Sequence, residues 1–105
     1  MGGGVVDKQH TTESTVENHL RKGVKLLRGL CIKLNPFGVR GIPDRLLLLP
    51  GGRVLFVELK RPVGGKFEPL QERWHLKLRR MGFTVVVCYT KAQVDELLEE
   101  YHVEG

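Results

Sequence analysis

Two carboxylates and a lysine interrupt apolar segments in the middle of the chain: Asp44, Glu58 and Lys60. The turn signal Pro50-Gly51-Gly52 stands between these segments and predicts an antiparallel β-hairpin. A turn centred on Gly51 places Asp44 opposite Glu58, whereas a two-residue turn places Arg45 there and leaves the carboxylates as near neighbours. Opposed residues have Cβ atoms about 5 Å apart, so two like charges repel unless a cation lies between them. The pair therefore indicates a metal site.

Lys60 follows Glu58 by two residues, so the period of a strand places both side chains on one face of the sheet. Asp44, Glu58 and Lys60 then form one cluster. Burial of a carboxylate is costly unless the group is paired or bound to a metal. The alternative is that Glu58 and Lys60 leave the core at the end of the strand and form a solvated ion pair. The local pattern alone does not separate these interpretations.

Asp44 follows Gly41-Ile42-Pro43, in which the proline restricts the approach and the glycine permits an unusual backbone angle or a close neighbour. The alternative is an ordinary turn that leads into a strand.

Glu13 and Glu17 lie one turn apart on a predicted first helix, Glu13 within its apolar stripe and Glu17 on the edge. Either acid could reach the sheet, or both could be solvated and complement the helix dipole.

Apolar periodicity and turn residues predict the elements that position these groups. The first helix is capped by Thr12 or Ser14, Gly29 follows its last turn, and its stripe is Val16, Leu20, Val24 and Leu27. The later elements are a strand at 31–34, hairpin strands at 45–49 and 53–60, a helix over about 70–81 ending at Gly82, a strand at 83–89, and a final helix capped by Thr90. The order α-β-β-β-α-β-α predicts an α/β sandwich with a mixed sheet flanked by helices. Because both hairpin strands are apolar on both faces, they should lie in the middle of a covered sheet.

The composition indicates one small basic domain. The 105 residues include 41% hydrophobic and 28% charged residues, which excludes global disorder. We expect residues 1–12, which begin Met-Gly-Gly-Gly, to be a flexible leader and residues 13–105 to be a single domain. Seventeen Lys and Arg against twelve Asp and Glu give a net charge of +5, which favours a polyanionic partner.

The cysteines and the apolar stretches suggest a reducing, cytoplasmic location. Cys31 and Cys88 are far apart and lie in apolar segments, so neither a disulfide framework nor a metal motif is indicated. No stretch approaches the roughly 20 residues that span a bilayer, and the start of the chain lacks the features of a signal peptide. The four histidines have no metal-ligand spacing, and we assign them no role: His10, His19, His75 and His102.

Several motifs follow one another along the chain: Glu17 on the first helix, Gly41-Ile42-Pro43-Asp44, Glu58-Leu59-Lys60, and Gln71 at the start of the next helix. Together they resemble the motifs of the VRR-NUC nuclease family, part of the restriction-endonuclease-like, PD-(D/E)xK superfamily. The resemblance extends from about Glu13 to Leu98. It implies a restriction-endonuclease-like core and a VRR-NUC domain that fills most of the chain.

The resemblance also implies roles for individual residues. Asp44, Glu58 and the carbonyl of Leu59 resemble metal ligands for Mg²⁺, with Mn²⁺ as a substitute, since hard oxygen donors suit these ions. Glu17 resembles the helix acid that completes the site directly or through water. We prefer it to Glu13 because it stands three residues before Leu20, although Glu13 precedes Val16 in the same way.

Lys60 would lie beside the attacking water, orienting it and stabilising developing charge. Gln71 would position the water, Lys60 or the phosphate; the alternative is an ordinary polar residue at a helix start.

The implied activity is metal-dependent hydrolysis of DNA phosphodiesters by an endonuclease that selects DNA structure. Stand-alone members resemble Holliday-junction resolvases that act as homodimers, and the resemblance implies the cytoplasm of a bacterium or of a phage-infected host. The alternatives are a nuclease of the same fold directed at flaps, nicks or ends, and a non-catalytic basic module that binds nucleic acid. Candidate DNA contacts are Arg40, Arg45, Arg61, Lys66, Arg73, Lys77, Arg79 and Arg80.

Arg73, Lys77 and Arg80 share one predicted helical face. We expect the neighbouring Trp74 to pack in the core against Leu70 and Leu78 rather than to stack on bases.

Overall fold

The computed structural model describes residues 13–34, 39–60 and 68–102. Its elements are α1 (Glu13–Leu26), β1 (Leu30–Lys33), β2 (Arg45–Leu49), β3 (Arg53–Leu59), α2 (Pro69–Arg80), β4 (Thr84–Cys88) and α3 (Lys91–Glu99). This order confirms the predicted α-β-β-β-α-β-α arrangement. The expected leader, residues 1–12, lies outside the described residues, as does the predicted Thr12 cap.

The strands form one mixed sheet in the order β1-β2-β3-β4. β1, β2 and β3 are antiparallel neighbours, whereas β4 runs parallel to β3. In the hairpin, Arg45 pairs with Val57 and Leu49 with Arg53, so the turn is centred on Gly51 as the first of the two predicted registers requires. The hairpin strands therefore occupy the middle of the sheet, as predicted.

The main core lies between one face of the sheet and helices α1 and α3. Val16, Leu20 and Val24, the stripe predicted from the sequence, are fully buried on α1. They join a cluster that includes Leu47 and Val57 from the hairpin. Each such side chain contributes about 1.5–3 kcal/mol when fully buried, so this stripe fixes α1 on the sheet.

Gly29 stands just after the end of α1, as predicted, but it does not adopt the left-handed conformation. The residue in the left-handed region is Arg28, with φ 65°. Gly29 donates its N–H to the carbonyl of Val24 at 2.9 Å, and a Cβ built on it would come within 2.8 Å of the carbonyl oxygen of Leu48. Glycine is needed at this position because the backbone of β2 approaches it closely.

On the opposite face of the sheet, α2 packs against β4, and the outward side chains of the other strands remain partly accessible. Leu46 and Phe56 are half-buried, while Leu30 and Ile32 are 61% and 39% exposed. The predicted cover over this face of the hairpin is therefore only partial within the described residues, since Leu46 and Phe56 are half-buried rather than buried. The apolar outer face is defined by the register as Leu30, Ile32, Leu46, Leu48, Val54 and Phe56.

The last helix begins as predicted. Thr90 precedes α3, and its hydroxyl accepts a hydrogen bond from the N–H of Gln93 at 3.1 Å. Val94, Leu97 and Leu98 are buried. Within the described part of the chain, no helix has the length and apolarity needed to cross a membrane.

Candidate active site

Asp44 is held at the end of β3 by the chain that precedes it. Gly41 has φ 89°, and a Cβ built on it would lie 2.7 Å from the backbone carbon of Leu70. Glycine thus lets this segment pack directly against the start of α2. Pro43 is buried, and one carboxylate oxygen of Asp44, Oδ2, accepts a hydrogen bond from the N–H of Leu59 at 2.9 Å. The acid is therefore fixed beside Glu58 and Lys60.

Glu58 and Lys60 are both inside the fold. Glu58 is 2% exposed and Lys60 is 8% exposed. Lys60 Nζ donates to Gln71 Oε1 at 2.7 Å, and Gln71 Nε2 donates to Glu58 Oε2 at 3.2 Å. These contacts exclude the alternative of a solvated ion pair at the end of the strand. A buried ammonium and a buried carboxylate are joined through one amide.

Gln71 links this cluster to the start of α2. Its Oε1 also accepts the N–H of Glu68 at 3.0 Å, an arrangement typical of the third residue of a helix. The positioning role and the helix-start role that the sequence left open for Gln71 therefore coexist in one side chain. The geometry of Lys60 depends on where α2 begins.

His75 is a site residue that the sequence reasoning missed. It is 3% exposed, and its Nε2 lies 3.7 Å from Glu58 Oε1, a close contact that is longer than a hydrogen bond. Burial, followed by the positive charges of Arg79 and Lys60, lowers the pKa of His75, while the charge of Asp44 acts in the opposite direction. The available signal was its position four residues after Gln71, which places both on one face of the helix.

Glu17 and Arg45 form an ion pair on the other face of the sheet. Arg45 Nη2 lies 2.5 Å from Glu17 Oε2. Because Arg45 pairs with Val57, its side chain points to the α1 face, opposite to that of Glu58. Arg45 is only 6% exposed, so its prediction as a surface contact for DNA phosphate is wrong. The sequence does not show that Arg45 is covered, because the covering helix, α1, is distant from it along the chain.

The donors near Asp44 suit a hard divalent cation. In residues 13–34, 39–60 and 68–102, no three His, Cys, Asp or Glu side chains come together as a complete metal cage. Asp44 and Glu58 supply carboxylate oxygens at the end of β3, and backbone carbonyls can supplement them. Oxygen donors of this kind fit Mg²⁺ or Mn²⁺ better than Zn²⁺, which prefers nitrogen and sulfur. A cation here would also offset the charge of two neighbouring carboxylates.

Several predicted DNA contacts lie on the surface. Arg40, Arg73, Lys77, Arg79 and Arg80 are exposed, although Arg79 also donates to the carbonyl of Val85 at 2.9 Å. Arg61 and Lys66 lie outside the described residues. The exposed cations of α2 form a basic surface beside the site.

Trp74 lies at the surface of α2 rather than in the core. It is half-buried, and Lys77 Nζ lies 5.3 Å from the centre of its ring. A cavity of about 190 Å³ is lined by Leu70, Arg73, Trp74 and Lys77. The expectation that Trp74 packs in the core is wrong because this flank of α2 faces solvent and the helix packs on the sheet through His75 and Leu78.

A second cavity, of about 420 Å³, borders the opposite flank of α2. Its lining includes His75, Arg79 and Val87. One of its lining residues, His75, contacts Glu58. The two flanks of α2 thus present recesses on either side of the helix that carries Gln71.

Comparisons with known proteins agree with this architecture. Residues 5–92 match the family model of the VRR-NUC domain. "Putative nuclease p44" of Acyrthosiphon pisum secondary endosymbiont phage 1 is 43% identical over 75 residues, which are 71% of this chain and 80% of that protein. A solved structure described as a VRR_NUC domain has a TM-score of 0.79 and 38% identity, covering 85% of this chain and 96% of that one.

The mixed sheet between helices, with acidic residues and a lysine at the end of its central hairpin, defines a restriction-endonuclease-like nuclease domain. The chain belongs to the VRR-NUC family, because the family model matches most of its length and the related structure shares its fold.

Proposed function

We propose that this protein is a metal-dependent, structure-selective DNA endonuclease that hydrolyses phosphodiester bonds. The observation that carries the proposal is the buried link from Lys60 through Gln71 to Glu58, beside an Asp44 anchored on Leu59. A purely structural ion pair in this position would be a weak source of stability, since apolar residues of similar volume often stabilise a fold as well or better. The arrangement therefore fits a chemical role.

In the proposed site, Asp44, Glu58 and the carbonyl of Leu59 would hold Mg²⁺ or Mn²⁺. The ion, when bound, lowers the pKa of water and offsets negative charge on the phosphate. Glu17, which the sequence predicts as a further ligand, is paired with Arg45 on the α1 face of the sheet, so we leave it out of the proposed set.

Lys60 is assigned to the attacking water and to the charge that develops on the phosphate. Gln71 fixes the ammonium by a 2.7 Å hydrogen bond and so orients it before substrate arrives. A preorganised donor of this kind contributes far more than one that must be immobilised during the reaction.

DNA is the proposed substrate, and its shape rather than its base sequence is what the protein selects. The net charge of +5 favours a polyanion, and exposed cations on α2 lie beside the site. Phosphate contacts position DNA without specifying its sequence. We propose branched DNA, in particular a four-way junction, as the preferred form.

A four-way junction has two symmetric strands, so the proposed active form is a homodimer with two matching sites. The apolar outer face of the sheet supports this proposal. A contiguous apolar surface at this position typically marks an interaction site, and two copies related by a two-fold axis would cover it.

The proposed location is the cytoplasm of a bacterium or of a phage-infected cell, in agreement with two free cysteines.

The test is cleavage of labelled DNA of four kinds: four-way junction, flap, single strand and linear duplex. Each is incubated with the protein in Mg²⁺, in Mn²⁺ and in EDTA. The proposal predicts paired, symmetric nicks in the junction with either metal and none in EDTA. Preferential cutting of flaps would support the alternative substrate, and salt-sensitive binding without cleavage would indicate a non-catalytic module.

A further inference from the structure

One flank of α2 carries the single tryptophan of the chain next to the proposed active site. Trp74 stands three residues after Gln71, so their Cβ atoms are about 5 to 6 Å apart on the helix surface. Gln71 in turn contacts both Lys60 and Glu58. The indole ring is thus one helical turn from the groups assigned to phosphodiester hydrolysis.

The cavity at this ring is smaller than the pockets that enclose drug-sized molecules. It measures about 190 Å³, and Leu70, which is 41% exposed, forms one wall. Pockets that enclose drug-sized molecules usually measure roughly 300 Å³ or more. The backbone of Gly41 packs against Leu70, so the segment that leads to Asp44 borders the same end of the helix.

The charges around the ring favour an anionic ligand. Arg73 and Lys77 line the cavity and are exposed, and Lys77 lies over the indole. An aromatic platform flanked by cations is the combination with which proteins bind single-stranded nucleic acid, because bases stack on the ring while phosphates meet the cations. An apolar or basic ligand would leave both cations uncompensated.

We infer that this cavity binds one unpaired nucleobase of the DNA strand being cut, with Trp74 stacking on the base and Arg73 and Lys77 contacting its phosphates. The inference rests on the proposed function and specifies the form of DNA that the site accepts. A base inside a duplex is stacked on both of its faces, so only an unpaired or extruded base can offer a face to the indole. The flank therefore favours DNA in which a base is unpaired, or is extruded at a branch point, over a continuous duplex.

Tryptophan fluorescence tests this inference without any cleavage. Because Trp74 is the only tryptophan, its emission in EDTA reports on this cavity alone. Three oligonucleotides of equal length are titrated: a normal single strand, a strand whose sugars carry no bases, and a blunt duplex. Binding is followed in parallel by anisotropy of a dye on the DNA.

The expected result is strong quenching by the normal single strand and little quenching by the abasic strand or the duplex at matched saturation. Equal quenching by the normal and abasic strands would overturn the inference, since the indole would then respond only to displacement of Lys77. Absence of quenching at saturating single strand would overturn it as well.

Substitutions give an independent measurement. Trp74→Leu should weaken binding of the normal single strand about tenfold, as expected for one lost stacking contact, whereas Trp74→Phe should keep most of the affinity. Phe83→Leu is the matched control, because Phe83 is also a surface aromatic, 40% exposed, but contacts Phe56 instead of the cavity. Circular dichroism checks that each variant folds. Wild-type affinity in folded Trp74→Leu would contradict the inference.

Failure of this inference and failure of the proposed function have different signatures. Metal-dependent cleavage by the wild type without base-dependent quenching would support the proposed nuclease activity and contradict the nucleobase site. Base-dependent quenching with no cleavage in Mg²⁺ or Mn²⁺ would support the nucleobase site and contradict the proposed nuclease activity.

Discussion

Lys60 and Gln71 share a 2.7 Å hydrogen bond inside the fold, and the same glutamine amide contacts Glu58 and the start of α2. One side chain therefore couples the beginning of a helix to the two charged residues at the end of β3. Movement of the helix start would move the ammonium and release the carboxylate.

The first prediction concerns Gln71. Gln71→Ala leaves Lys60 and Glu58 buried without the amide, so the free energy of unfolding should fall by about 1–3 kcal/mol. DNA cleavage should fall about 10- to 100-fold, as for the loss of a residue that orients a metal ligand. Urea denaturation and single-turnover cleavage measure the two effects.

Gln93→Ala is the matched control for this variant. Gln93 also stands at the third position of a helix and accepts the N–H groups of Thr90 and Tyr89, but it lies on α3, across the sheet from α2. It should lose roughly 1 kcal/mol of stability with no change in the rate of cleavage. Equal loss of activity in both variants would show that Gln71 acts only through helix stability.

The second prediction concerns the acidic residues. Asp44→Asn and Glu58→Gln keep the shape of the side chains but remove charge, so each should abolish binding of Mn²⁺ measured by calorimetry and lower cleavage by at least about a hundredfold. Asp95→Asn, a surface change at the partner of His19, should alter neither quantity. Normal Mn²⁺ affinity in both site variants would show that other residues bind the metal.

The third prediction concerns Gly41. Any side chain here must adopt φ 89° and also displace the backbone of Leu70. Gly41→Ala should therefore cost more stability than the roughly 1–2 kcal/mol of left-handed strain alone, and it should reduce cleavage by shifting Asp44. Gly52→Ala, with φ 75° and open space around it among the described residues, should show the strain alone. Thermal unfolding of both variants tests the difference, and equal losses would argue against a close contact at Gly41.

The fourth prediction concerns the pH dependence of stability. Burial raises the pKa of Cys88 from its ordinary value of 9.0 to about 11. The unfolded chain loses this proton near pH 9 while the folded chain keeps it, so the free energy of unfolding should fall between pH 9 and pH 11 by on the order of 2 kcal/mol. Cys88→Ala should be less stable throughout and should lack this share of the decline. An identical slope in both proteins would contradict the assignment.

Much of the fold could be predicted because the determining signals are local. The glycine turn at residues 51–52 and the flanking apolar runs fix the hairpin, and its register brings Asp44 to the end of β3. The two-residue spacing of Glu58 and Lys60 likewise places them on one face. The burial of Glu58 and Lys60 could not be predicted, since the end of a strand can be solvated or covered. Here α2 covers it.

The remaining differences depend on contacts between distant elements. Arg45 reads as a surface cation in sequence, yet α1 places Glu17 over it. His75 resembles any histidine on a helix until β3 places Glu58 beside it. Trp74 reads as core by composition, whereas the orientation of α2 leaves one flank of the ring at the surface. Neither the spacing of these residues nor their type predicts such contacts between distant elements.

The most direct test of the proposed chemistry is the Lys60→Met variant, which keeps the length of the side chain and removes the ammonium. Its binding to a labelled four-way junction is measured by anisotropy in EDTA, and its single-turnover cleavage is measured in Mg²⁺ beside the wild type. We predict unchanged binding and a loss of cleavage of at least about a hundredfold. Cleavage by the folded variant at the wild-type rate would contradict the role of Lys60 and with it the proposed active site.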